Sequence, residues 1–528
     1  MTRVLVADRI APEGIALLEQ AAHVDVRTGM PEQELCTHIG SYQALIVRSE
    51  TQVTRAVIEA GTRLQVIARA GVGVDNIDVV AATERGVVVV NVPAGNTVAA
   101  AEHTVAMLLA LARNIPQADA SLRRGEWCRN EFIGVEVRGK TLGIVGLGRV
   151  GREVARRAEG LDMRLIGYDP FVPVTDENRR ALGMELMSLD EVLHQVDFVT
   201  VHTPLTETTR GLIDARRMAS MKHGARIINC ARGGIVDEQA LFDAVESGHL
   251  GGAAIDVFTT EPAPNTILAR SPRIIVTPHL GASTAEAQVA VAVEAAEQVI
   301  GILGGQAPRY AVNAPVVSAE SATALRPFLP LAEKIGYLAT VLSEGQLRRI
   351  RIHYDGDVAE HDTTPLRAAV TKGLLEPVSA SRVSIVNADL IARQRGLSIQ
   401  EQRNTAMVEP YLHLVTVQLE TDRGITEVAG TLVHNEPRIV RINGFWVDIQ
   451  PNGGYWLFGR HEDRPGMIGA IGTLLGQQNV NISFMQVARF EVRGHALLVL
   501  GVDDPVSTEL HQKLLALPHI QSLKVVRL

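Results

Sequence analysis

Leu142-Gly143-Ile144-Val145-Gly146-Leu147-Gly148-Arg149-Val150-Gly151 decides the fold class of this chain. A β-prone run, Thr141–Val145, opens directly onto Gly-x-Gly-x-x-Gly, and a helix-forming stretch follows at 152–159. In such a strand–turn–helix, Gly146 makes the tight turn and Gly148 lets the backbone approach a pyrophosphate. Gly151 lets helix and strand pack closely. The phosphate then sits at the positive end of the helix. The next strand, Arg164–Tyr168, ends at Asp169, where a carboxylate accepts from the ribose 2′-hydroxyl of NAD and repels the 2′-phosphate of NADP. A bare glycine turn would explain the three glycines alone. The strands on both sides and Asp169 favour NAD.

Outward from that turn, short β-branched runs alternate with amphipathic stretches through about residue 300. Residues 4–8, 44–48, Val66–Arg69 and 87–90 read as strands, with helices at 12–22 and 54–61. A second series runs through Thr141–Val145, Arg164–Tyr168, 198–202, 225–229, 253–256 and 274–277. These six strands are enough for a complete dinucleotide-binding sheet. The alternation predicts an α/β architecture with two doubly wound parallel-sheet (Rossmann-like) domains. Helix Thr97–Arg113, between the two series, carries little charge and belongs against another domain or subunit. An Ala/Val-rich helix at 283–303 ends at Gly304-Gly305, and Gln306-Ala307-Pro308 breaks the chain. Residues 316–452 have mixed α/β character, and Pro451-Asn452-Gly453-Gly454 forms a hinge. The remainder alternates in the βαββαβ order of a ferredoxin-like module. The expected domains are 1–98 for substrate, completed by 283–304; 99–282 for NAD; 316–452 intervening; and 455–528 regulatory.

Composition narrows the function. The 528 residues carry a net charge of −8 with no basic run, which argues against nucleic acid and anionic membrane surfaces as partners. No apolar stretch approaches the ~20 residues of a membrane helix, and the opening residues read as a strand rather than a signal peptide. Cys36, Cys128 and Cys230 are far apart and give neither a disulfide framework nor a metal spacing. A cytoplasmic multidomain protein without a metal site is expected.

Three clusters fall at the ends of later strands, where doubly wound folds hold ligands. Asn229-Cys230-Ala231-Arg232-Gly233-Gly234 supplies a fixed cation, Asp256-Val257-Phe258-Thr259-Thr260-Glu261-Pro262 a carboxylate, and Thr277-Pro278-His279-Leu280-Gly281-Ala282-Ser283-Thr284 an imidazole. Hydride removal from a 2-hydroxy acid needs these three groups. Arg232 can hold the carboxylate and developing carbonyl, His279 can take the hydroxyl proton, and Glu261 can fix the imidazole tautomer. Cys230 is a small neighbour of the cofactor rather than a nucleophile. In the first domain, Arg48 with Ser49 and Arg69 with Gly71 lie at strand ends and offer charge and backbone N–H groups to a phosphate and a carboxylate.

Together these motifs resemble the long, multidomain D-3-phosphoglycerate dehydrogenases of the D-isomer-specific 2-hydroxyacid dehydrogenase family. The resemblance implies NAD-dependent oxidation of 3-phospho-D-glycerate, the first step toward L-serine. It implies Arg232, Glu261 and His279 as the catalytic trio. Gly146, Gly148, Arg149, Val150, Gly151, Asp169, Thr203, Cys230, Ala231, Arg232, Asp256, His279, Leu280, Gly281 and Ala282 would line the NAD site. It adds Asn96 as a substrate or hinge residue and Arg129 as a residue reaching a neighbouring subunit. The 455–528 module is similar to an ACT domain. Serine feedback is implied, with Asp463 on the α-amino group, Asn481 bridging to a second module, and a homo-oligomer, dimer or tetramer. His461 departs from the less polar neighbour expected there, and an anion site in the intervening domain stays open. A glyoxylate or hydroxypyruvate reductase and a non-catalytic NAD sensor remain as alternatives.

Overall fold

Fully apolar runs bounded by polar turns produce strands buried on both faces, and the computed structural model arranges them in two parallel sheets. It describes residues 2–306, 308–314, 319–380, 382–451 and 453–528. The break at Ala307, the start of the expected intervening domain at 316 and the centre of the hinge at Asn452 lie outside the described residues.

The first sheet has five parallel strands in the order His23–Val26, Arg3–Val6, Ala44–Val47, Val66–Arg69, Val88–Val90. His23–Val26 is missing from the sequence reading. It is a polar edge strand, paired on one side and without a buried residue, so it lacks the apolar run that marks the others. The second sheet has seven parallel strands: Ile274–Val276, Gly252–Ile255, Arg226–Asn229, Phe198–Val201, Thr141–Val145, Arg164–Tyr168 and Glu185–Leu186. The seventh is two residues long, too short for any periodicity to register.

Two helices join the sheets. Thr97–Arg113 leaves the first domain and buries Met107, Leu108 and Leu111 against Leu142, Ile144 and Val154 of the second. Ala285–Leu303 returns, packing Val291, Ala295, Ala296 and Val299 against Val4, Val6 and Leu18. The ends of the strands in both sheets therefore face one interdomain cleft.

Beyond it, a mixed six-stranded sheet pairs Leu347–Gly356 in parallel with Ser398–Asn404 and continues antiparallel to Phe445–Ile449. Arg382 Nη1 donates to the Leu64 carbonyl at 2.7 Å and docks this unit on the first domain. The final βαββαβ module forms an antiparallel sheet in the order Ile482–Arg489, His495–Val502, Tyr455–Glu462, Ile520–Arg527. One face is covered by its own helices through Met467, Ile471, Leu510 and Leu514. The other face, with Trp456, Phe458, Val499 and Val526, shares a core with Leu331 and Ile335 of the preceding unit. Among the described residues no single helix is long and apolar enough to cross a membrane.

Candidate active site

The glycine turn has the shape its sequence demands. Gly146 takes φ +97, and a Cβ there would stand 2.6 Å from the His202 carbonyl oxygen. A Cβ on Gly151 would meet the Gly146 carbonyl at 2.1 Å. The helix spans Arg149–Glu159, three residues longer than expected, so Arg149 and Val150 present N–H groups of its first turn. Gly148 has open space where a side chain would be, and Thr203 Oγ1 beside the turn is buried without a partner. Asp169 accepts from the N–H groups of Leu147 and Phe171, both at 2.9 Å, and keeps a lone pair on each oxygen. Beside it lies a cavity of about 300 Å³ walled by Tyr168, Pro170, Val172 and Met187. An open pyrophosphate cradle, an orphaned hydroxyl and an acid at the strand end fit a bound NAD.

His279 occupies the loop after Ile274–Val276 at φ +57, and its N–H donates to the Asp256 carbonyl at 2.9 Å. Its Nδ1 lies 2.7 Å from Glu261 Oε2, and Glu261 Oε1 accepts from Phe258 N–H at 3.0 Å. Burial opposes charge on Glu261, but the hydrogen bonds from His279 and Phe258 outweigh it and hold the carboxyl below its ordinary range. An ionised carboxylate only accepts, so Nδ1 carries the proton and Nε2 is left as a base.

Asp256 is wholly buried. Its side chain accepts from Thr277 Oγ1 at 2.6 Å, Leu280 N–H at 2.7 Å and Gly281 N–H at 2.9 Å, so it shapes the loop that carries His279. His103 Nε2, on the inter-sheet helix, stands 3.2 Å from the same carboxylate; the sequence reading had no role for it. Cys230 is close by, and burial pushes its thiol up to about 12. His103, Cys230 and Asp256 each bring a ligand-type atom within 4.8 Å of the others. A protonated thiol and a carboxylate already holding a loop are a poor donor set for a cation.

Where the two domains meet, three arginines converge, Arg48 and Arg69 from the first domain and Arg232 from the nucleotide domain. Arg232 Nε pairs with Asp75 Oδ2 at 3.1 Å, and a Cβ on Gly73 would meet Arg232 Nη2 at 2.2 Å. Arg69 folds over Gly71, where a Cβ would stand 2.1 Å from its Nη1, and its Nε is buried without a partner. Burial, then repulsion from Arg232, pulls Arg69 down to about 10; Arg48 adds to this while Asp75 and Asp8 oppose it. Buried Asp8 fixes the Arg48 turn by accepting from Arg48 N–H at 2.6 Å and Thr51 N–H at 3.1 Å. Ser49 is exposed beside it. Asn96 precedes the inter-sheet helix, and its carbonyl accepts from Ala100 N–H. Arg129 sits on an exposed short turn, Arg129–Phe132, and shares no described hydrogen bond or ion pair with this cluster.

Comparison with known proteins bears on this geometry. Residues 105–281 match the NAD binding domain of the D-isomer specific 2-hydroxyacid dehydrogenases. Residues 324–443 match the D-3-phosphoglycerate dehydrogenase intervening domain, and 456–519 the ACT domain. The D-3-phosphoglycerate dehydrogenase of Synechocystis sp. is 46% identical over 100% of this chain and 95% of its own. The chain belongs to the D-3-phosphoglycerate dehydrogenase family. A second D-3-phosphoglycerate dehydrogenase, from Methanocaldococcus jannaschii, is 41% identical with 100% of both chains covered. Among solved structures, the TT0316 protein from Thermus thermophilus matches 59% of this chain and 100% of its own, at 35% identity and a TM-score of 0.55. The family's NAD-binding domain and the open cradle agree: NAD is the cofactor.

In the ACT domain, Asp463 is already engaged by the Arg489 guanidinium and by Arg493 N–H. Asn481 donates to Asp503 at 2.6 Å rather than lying free. His461 is buried; its Nδ1 meets the Glu462 carbonyl at 2.8 Å and its Nε2 has no partner.

Proposed function

We propose that this chain oxidises 3-phospho-D-glycerate to 3-phosphohydroxypyruvate with NAD, the first step of phosphorylated L-serine biosynthesis. The observation that carries this is the Glu261–His279 pair on the nucleotide domain, which also carries Arg232, together with the clustering of Arg232 with Arg48 and Arg69 of the first domain. Arg232 binds the substrate carboxylate and the oxygen on C2 once Asp75 yields it. Arg48 and Arg69 hold the phosphate, which satisfies the buried Arg69 guanidinium. His279 Nε2 takes the C2 hydroxyl proton, and the imidazolium that forms is stabilised by ionised Glu261. Bound NAD supplies the hydride acceptor. Closing the cleft over these groups excludes water.

Glyoxylate or hydroxypyruvate reduction would use the same trio, but neither substrate carries a phosphate to occupy Arg48 and Arg69. The enzyme works in the cytoplasm as a homo-oligomer, dimer or tetramer. Exposed apolar side chains near Arg129 support pairing, among them Trp127 at 78% and Ile133 at 80% exposure. Arg129 would then reach a neighbouring subunit's site. L-serine is the effector, bound at the ACT domain. The unpartnered Nε2 of buried His461, two residues before Asp463, supports a polar ligand there. Asp463 would exchange its present partners for it, and Asn481 would exchange Asp503 for a second module.

A substrate panel with NAD and NADP tests the reading. NADH should form from 3-phosphoglycerate, form about 10²–10⁴-fold more slowly in His279→Ala, and decrease when serine is added. Turnover of glyoxylate in preference to 3-phosphoglycerate would sink it.

A further inference from the structure

His103 enters the nucleotide domain from the helix that joins the two sheets, with a side chain only 19% exposed. Its Nε2 is 3.2 Å from Asp256 Oδ1 and 3.4 Å from Thr277 Oγ1. Asp256, in turn, holds the His279 loop at four points: the Thr277 hydroxyl, the N–H groups of Leu280 and Gly281, and its own carbonyl on His279 N–H. Three of these bonds gain strength from a charged acceptor. A proton on Asp256 would turn one oxygen into a donor aimed at groups that also donate, and the loop would loosen.

Wholly buried carboxylates tend to pick up that proton. Burial does push Asp256 upward, yet hydrogen bonds led by that from His103 reverse the sign and hold it below the ordinary range. Because the ionised carboxylate only accepts, His103 Nε2 is the donor.

We propose that His103 is a positioning residue for proton abstraction: by hydrogen-bonding Asp256 it keeps the loop in the geometry that presents His279 to the cleft. It rests on the reading of His279 as the base. His103 bonds Asp256 and Thr277 and shares no described hydrogen bond or ion pair with His279, Glu261 or Arg232. It anchors the base to the helix that links the two domains, so the imidazole keeps its place relative to the substrate domain.

The test compares His103→Leu, which removes the donor, with His103→Gln, which keeps one, in the full-length enzyme and in a His279→Ala background. His103→Leu should lower kcat by about tenfold or more, as displacement of a catalytic group does. The KM for NAD should stay within about twofold, the sign of lost transition-state rather than ground-state interaction. His103→Gln should recover most of kcat, and in the His279→Ala background His103→Leu should cost nothing further. Hydrogen exchange supplies a readout without substrate: the amides of Leu280 and Gly281 should exchange about tenfold faster in His103→Leu, with the Gly146 turn unchanged. Unaltered kcat and exchange would overturn the proposal. So would an equal loss in the His279→Ala background, or a parallel loss of NAD binding. Failure of the wild-type enzyme to oxidise 3-phosphoglycerate would count against the proposed function alone, and the exchange measurement would still decide the role of His103.

Discussion

Arg232 of the nucleotide sheet is held at 3.1 Å by Asp75 of the first domain, 157 residues away in the chain. The ion pair joins the two domains and occupies the cation that the proposed function assigns to the substrate carboxylate. Asp75 is 66% exposed and Arg232 26%, so the pair is weak, worth about 0–1 kcal/mol. Asp75→Asn should therefore lower the KM for 3-phosphoglycerate by no more than about fivefold, the equivalent of that energy. The gain should shrink with added salt. Steady-state kinetics at two ionic strengths measure both, and a raised KM would show that Asp75 orients Arg232 rather than competing for it.

Glu261 should set how steeply activity survives acid. Its folded carboxyl lies below the ordinary range, whereas the unfolded group titrates near 4.5. The unfolded chain thus binds the proton first. The stability contributed by the Glu261–His279 pair is complete above that value and is lost as pH falls through the folded one. Glu261→Gln removes the charge that steadies the imidazolium, and kcat should drop by about 10²-fold, at the low end of the 10²–10⁴-fold range open to loss of the base itself. Rate profiles from neutral to acid pH check this; an unchanged profile would make the pair ornamental.

Cys230 should be chemically silent. With its thiol raised to about 12 by burial and the nearby Asp256 charge, almost none is thiolate at about pH 8. Alkylation of the native enzyme followed by peptide mapping should leave Cys230 unmodified. Cys230→Ala should retain activity within about threefold, since no covalent intermediate is involved.

His202, behind the glycine turn, should make the protein acid-sensitive by a separate route. Its imidazole is pushed down from 6.5 to about 4 by burial, and Nε2 lies 3.0 Å from Thr200 Oγ1. Between these values the unfolded chain takes up a proton that the folded chain refuses. Stability should fall as pH drops from 6.5 toward 4. Urea midpoints should decline over that window in the wild type and decline less in His202→Gln.

The contiguous motifs were legible because each is a local solution to a local demand. The turn at Gly146, the acid at Asp169 and the loops ending in Arg232, Glu261 and His279 all sit where their strand ends place them. Long-range partnerships were not. Asp75 is an ordinary loop acid until the fold sets it on Arg232. His103 reads as a break in an apolar helix until Asp256, far along the chain, arrives beside it. Asp256 was expected to line the cofactor; in the structure its carboxylate holds the loop that carries His279. Strand His23–Val26 escaped notice for a related reason: an edge position asks little of the side chains, so the pattern is left blank.

The return helix Ala285–Leu303 has a consequence for biogenesis. Its Val291, Ala295, Ala296 and Val299 complete the core around Val4, Val6 and Leu18. On the ribosome, the first sheet must therefore wait with one flank bare while the whole nucleotide domain emerges and folds. The domain begun first is finished second, and a nascent chain halted before residue 285 would hold a folded cofactor domain beside an open, chaperone-accessible apolar surface.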